Sequence, residues 1–166
     1  MRLLLAALLV SSAACGTTRA ASSVWLSPPP YSDVPVGAAS PIPIDARLFN
    51  SSGGGFTQPV RIVVRDDSTW AKVWAQITYG FVDPLPRPVV DFSRDMVLVA
   101  AFSPKHLFAG DVMLMDSLSV SPHLVAILVR TVRQCGPFPM DENPVDVIRL
   151  KATKDPIRFI ERFLDC

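Results

Sequence analysis

The residues of this chain best suited to covalent chemistry are its three cysteines, Cys15, Cys135 and Cys166. Cys15 closes the stretch "LLLAALLVSSAAC", in which residues 3–10 are unbroken apolar and Met1-Arg2 supplies a minimal positive start. A membrane-crossing helix needs about 20 apolar residues, so this run is too short for one. It reads instead as a secretory signal peptide over residues 1–14. Ser12-Ala13-Ala14-Cys15-Gly16 looks like a bacterial lipobox, with Ser12 where Leu is usual. The chemistry expected there is lipidation: Cys15 becomes the mature N-terminus and carries acyl chains such as palmitate. An ordinary cut after Ala14 is the alternative.

An exported chain that spends Cys15 on lipid keeps an even pair, and an even pair in an oxidising compartment is normally a disulfide. Joining Cys135 to Cys166 closes a loop of about 30 residues, worth about 3–4 kcal/mol in the chain-entropy model. It also fastens a C-terminus that would otherwise fray. Two free thiols are the alternative.

Other chemistries have little to stand on. The chain holds no Gly-x-Ser-x-Gly elbow and no Ser-x-x-Lys pair. His106 and His123 are the only histidines, at the two ends of one expected strand, and no metal-ligand spacing joins them. "SSGGGF" lacks the lysine and following helix of a phosphate loop, so no cofactor is expected. Six aspartates, Asp66, Asp67, Asp91, Asp95, Asp111 and Asp116, are available for acid–base work. Asp66 and Asp67 suit a helix start, with Asp67 or Ser68 as its cap. Asp91 suits a turn in which its carboxylate accepts from the amide two residues on. Arg94 is a salt-bridge candidate beside it. Net charge is +1 and the basic residues are dispersed, which argues against a nucleic-acid partner.

The elements that would position these groups follow from periodicity. Sixteen prolines and 19% charged residues favour strands and loops over a helical bundle. Residues 15–57, with "SPPPYSDVPVGAASPIP" and "NSSGGGF", read as a lipidated N-terminus and a Pro/Ser/Gly-rich tether ending in a flexible glycine joint. Ile42, Ile44, Leu48 and Phe49 form an apolar exception able to dock as an edge element. Residues 58–166 form the domain. "VRIVVR" is a strand. In "DDSTWAKVWAQI", Trp70, Val73, Trp74 and Ile77 fall at i, i+3, i+4 and i+7, one face of a helix. A tryptophan pair at that spacing is expected in the core. "MVLVAAF" reads as a strand buried on both faces. "DVMLMDSLSV" and "HLVAILVRTV" form a hairpin with its turn near residues 121–123. "PVDVIRLK" and "IRFIERFL" complete the set, the second assigned to strand by Pro156 and its branched residues. The expectation is a single compact α+β domain, a mostly antiparallel sheet with one amphipathic helix packed on it.

"STWAKVWAQI", then "PVVDFSRDMVLVAAF", a hairpin, Cys135 and "PVDVIRL" together resemble the PrcB C-terminal domain family. The likeness spans roughly residues 59–161, and Val90-Asp91-Phe92 with Met96-Val97-Leu98-Val99 is its most specific piece. The family usually follows that strand with a glycine-rich turn containing Arg and a Gly-Gly pair, whereas "SPKHLFAGDV" stands here with Gly110 alone. The family occurs in bacterial envelope proteins and is named for one that stabilises a surface protease complex. The resemblance therefore implies fold and location, and a protein partner, plausibly a protease complex.

Two segments combine a loop setting with apolar side chains, which commonly marks contact sites. "SPKHLFAGD" carries Leu107 and Phe108; "CGPFPMDEN" carries Phe138 and Met140. These four are the candidate partner-binding residues, and both loops follow hairpin strands that can share one end of the sheet. The function expected is that of a non-enzymatic lipoprotein of the bacterial envelope that binds or stabilises another envelope protein. It faces the periplasm or the surface, and Gly16 after the cysteine tilts towards the outer membrane. A module binding a small ligand or a surface polymer is the alternative.

Overall fold

The computed structural model describes residues 24–26, 40–41, 44, 46–52, 54–83, 85–101, 112–121, 124–132 and 143–164. These residues form an α+β domain of one helix and two mostly antiparallel sheets. In chain order the strands are β1 (Val24–Leu26), β2 (Ser40–Pro41), β3 (Ala46–Ser52) and β4 (Val60–Val64). Helix α1 (Asp67–Ile77) follows. Then come β5 (Asp95–Ala101), β6 (Val112–Ser121), β7 (Leu124–Val132), β8 (Pro144–Lys151) and β9 (Ile157–Leu164).

One sheet has the order β1-β4-β5-β8-β3 and the other β2-β6-β7-β9. Every pairing is antiparallel except that of β7 with β9. The larger sheet is the middle layer. Strand β5 shows why: all of it is buried, and alternate residues join different cores. Val97, Val99 and Ala101 pack with the helix side, whereas Met96, Leu98 and Ala100 pack with the second sheet. This is the strand buried on both faces that its unbroken apolar run requires.

Helix α1 covers the outer face of the middle sheet with Trp70, Val73, Trp74 and Ile77, all buried. The tryptophans therefore lie in the core as expected, their ring centroids 5.3 Å apart. Fully burying each such side chain contributes about 1.5–3 kcal/mol. The N-cap is Asp66, not Asp67 or Ser68: its carboxylate accepts from the Thr69 amide at 2.7 Å and from the Thr69 hydroxyl at 2.9 Å. Asp67 falls one position too late to bend back onto those amides, and pairs outward with Arg87 at 2.6 Å.

The segment expected to be tether contributes three strands. β3 is the docked edge element that Leu48 and Phe49 foreshadowed, pairing with β8 through a bulge between Arg47 and Phe49; such a bulge discourages pairing along an outer edge. β1 pairs with β4, and β2 with β6. The glycine joint is also not free. Gly54 and Gly55 donate their amides to the Ile77 and Gln76 carbonyls at 3.1 and 3.0 Å, closing the last turn of α1. A Cβ at Gly54 would collide with the Tyr79 carbonyl, so glycine is required there by close approach.

Candidate functional site

Cys15, Leu107, Phe108, Cys135, Phe138, Met140, Cys166, His106 and His123 all lie outside the described residues. The strands that lead to most of them are described, and their register places the entries. Ala101, the last residue of β5, pairs with Val60 and Val145. Val112, the first of β6, pairs with Val132, the last of β7, and Val132 pairs with Leu164, the last of β9. Side chains tie the two sheets in matching order: Asn50 Nδ2 donates to the Met113 carbonyl at 2.9 Å, and Arg47 Nη2 to the Met115 carbonyl at 2.9 Å. The residues flanking 102–111 and 133–142 thus stand at one pole of the stacked sheets. The C-terminal end of α1 reaches the same pole, where Asn143 Nδ2 donates to the Phe56 carbonyl at 2.9 Å.

The interior behind this pole is polar, which the sequence reading missed. Arg61, Ala100, Asp146 and Asn50 lie in one cross-strand row of the middle sheet. Arg61 is wholly buried and grips Glu161 of β9 through two bonds, Nε to Oε1 at 2.7 Å and Nη2 to Oε2 at 2.8 Å. Its Nη1 donates to the Val60 and Ala101 carbonyls at 2.7 and 2.9 Å. Such a fork-to-carboxylate pair is the strongest side-chain arrangement of its kind. Asp146, also wholly buried, accepts from Arg47 Nε at 2.8 Å, Asn50 Nδ2 at 3.1 Å and the Met115 amide at 2.6 Å. These side chains satisfy main-chain groups of Met113 and Met115 in β6, whereas the described pairing of β2 falls at residues 118–119. The signal was present in the alternation: Asp146 shares a strand face with Ile148 and Leu150, and Arg61 with Val63. Thr131 is buried with no hydrogen-bond partner for its hydroxyl among the described residues.

Asp91 performs its expected turn role. Its Oδ1 accepts from the Ser93 amide at 3.0 Å and the Ser93 hydroxyl at 2.5 Å, and its carbonyl accepts from the Arg94 and Asp95 amides. The two Ser93 bonds, the hydroxyl first, hold its carboxyl below the ordinary carboxylate range. Asp95 pairs with Lys151 at 2.9 Å across β5 and β8. No group of three or more His, Cys, Asp or Glu side chains able to hold a metal occurs among the described residues.

A surface not singled out from the sequence lies along α1. Residues 79–83 and 85–89 run back beside the helix, pinned by both tryptophans. Trp74 Nε1 donates to the Leu85 carbonyl at 3.0 Å, and Trp70 Nε1 to the Pro88 carbonyl at 2.9 Å. Phe49 meets Trp74 and Phe81 edge-on at 5.8 and 6.4 Å. Tyr79, Phe81, Val82, Leu85 and Val89 are nonetheless exposed. Their apolar character was legible, but exposure depends on tertiary placement.

No family model, curated protein or solved structure matches this chain. No helix among the described residues is long and apolar enough to cross a membrane.

Proposed function

We propose that this chain is a non-enzymatic, lipid-anchored protein of a bacterial cell envelope that binds and stabilises a partner protein. A protease complex is the partner class that the resemblance to the PrcB C-terminal domain family names. The observation that carries the proposal is the shared pole. The strands flanking 102–111 and 133–142 end together, so two apolar segments spring from one rigid edge of the double sheet. Contact sites are characteristically built this way, loops presented by a packed scaffold.

The same geometry supports the Cys135–Cys166 bridge. Val132 and Leu164 are partners on adjacent parallel strands, which lie about 4.8 Å apart. Cys135 and Cys166 follow them by only a few residues, and a disulfide needs Cα atoms about 4.4–6.8 Å apart. The bridge would fasten the second apolar segment to the end of β9. Lipid at Cys15 would hold the domain at a membrane through the chain that leads into β1.

Affinity capture of the full chain from detergent-solubilised envelopes tests this. A defined polypeptide recovered at constant proportion is expected, lost on Phe108→Asp or Phe138→Asp while the melting temperature stays within about 2 °C. Repeated recovery of the lipidated, folded chain alone would contradict it.

A further inference from the structure

The described strands form two sheets with four outer edges, on β1, β3, β2 and β9. Three of these edges are blunted. β1 has three residues and β2 two, and β3 is broken by its bulge between Arg47 and Phe49. Short and bulged edge strands keep stray chains from pairing with a sheet. β9 is different. It runs eight residues against β7 without a register shift, and among the described residues no strand lies on its other side. Backbone groups along such an edge point away from the sheet and are open to another strand. A charge turned inward often protects an edge, but here the Glu161 carboxylate is already held by Arg61 at 2.7 and 2.8 Å.

The side chains select the strand that fits. Ile157 and Phe159 pack in the core shared with the middle sheet and Glu161 reaches Arg61, so these odd positions face inward. Arg158, Ile160 and Arg162 therefore share the outer face. Both arginines are exposed, and neither has an ion pair among the described residues. Asp116 of β6 shares this face, but Arg130 holds it at 3.2 Å. A second copy of β9 cannot answer the two arginines. Antiparallel pairing about a two-fold axis sets residues of one face opposite each other, and Glu161, the only acid of β9, is on the other face. Centring that pair on Ile160 even puts Arg158 opposite Arg162, and like charges directly opposite repel. A strand with carboxylates four positions apart matches both arginines in either direction, with an apolar side chain between them beside Ile160.

We infer that the outer edge of β9 receives an extended acidic segment of another polypeptide, which adds a fifth strand to the four-stranded sheet. Backbone hydrogen bonds supply the binding, and the two arginines supply the selection. This surface is separate from the apolar segments at the pole, and it requires neither them nor lipid.

The test selects peptides from a random displayed library on the purified full chain in mild detergent. Enriched peptides are expected to carry Asp or Glu four positions apart with an apolar residue midway. A synthetic copy of the leading peptide slows hydrogen exchange at the β9 amides. N-methylation of alternate amides in that peptide abolishes binding, although its side chains are unchanged. Arg158→Glu with Arg162→Glu lowers its affinity about tenfold. Both side chains are exposed, so the melting temperature stays within about 2 °C. No enriched peptide, enrichment without paired acids, or binding that survives N-methylation or the two arginine changes would overturn the inference. A dimer in sedimentation whose β9 amides are protected without peptide would give the edge to a second copy and overturn it too. The readout is on the purified chain, so it stands or falls apart from the capture of an envelope partner.

Discussion

Replacing Arg61 by methionine while Glu161 remains would leave a carboxylate between two sheets with its charge unmatched. The side chain of Arg61 is 0% exposed and that of Glu161 5%, so water does not replace the lost partner. Breaking a buried pair from one side costs about 3–5 kcal/mol, a large share of the 5–15 kcal/mol typical of a whole domain. Glu161→Leu is expected to cost a similar amount, because the guanidinium keeps its bonds to the Val60 and Ala101 carbonyls but loses its counter-charge. Both changes together remove the charges at once. The double variant is expected within about 2 kcal/mol of the parent, since a packed apolar pair often replaces a buried ion pair at little cost. Its residual loss comes from the two carbonyls, which tolerate a missing partner better than amides do. Urea unfolding of the four proteins at pH 7 gives the coupling directly. Losses that simply add, or single variants that cost less than about 1 kcal/mol, would show that the pair is neither desolvated nor a link between the sheets.

Thr131→Val removes a buried hydroxyl that has no partner among the described residues and keeps the shape of the side chain, so the melting temperature should rise, by about 1 kcal/mol of added stability; a fall would mean that the hydroxyl is satisfied. Asp91 has a lowered carboxyl pKa in the fold, so its contribution is fully present above its unfolded value near 3.9 and is lost as pH falls through the folded value. Ser93→Ala should therefore raise the Asp91 midpoint in an NMR titration and weaken the protein only above that acid range. Denaturation without reductant should expose no free thiol at Cys135 or Cys166, and Cys166→Ser should cost about 3–4 kcal/mol; reactive thiols at both positions would remove the bridge.

Much of the fold was legible where one local rule was strong. The 3.6-residue spacing of Trp70, Val73, Trp74 and Ile77 marked the only helix among the described residues, and the unbroken run of β5 announced burial on two faces. Strands β8 and β9 begin and end where their branched residues and Pro156 indicated. The division into two sheets was not legible. Strand β9 lies parallel to β7 because its partner is chosen by the crossover through β8, which no local pattern encodes. β2, a Ser-Pro pair, forms where pairing with a preformed sheet overrides poor propensity, and β1 is only three residues long between serine- and proline-rich stretches. Arg61 and Asp146 were not singled out from the sequence, and their burial depends on the cross-strand neighbours that enclose them. The residues expected to bind a partner were marked by composition alone; what the structure adds is the common pole of the strands beside them.

The most direct measurement is paired crosslinking in native envelopes, with a photo-reactive residue at Phe108 in one full-length chain and at Phe138 in another. One pole serving one partner predicts that both positions capture the same polypeptide, and that both adducts fall together when Cys166 is replaced by serine. Capture of unrelated polypeptides by the two positions, or of none by either, would contradict it.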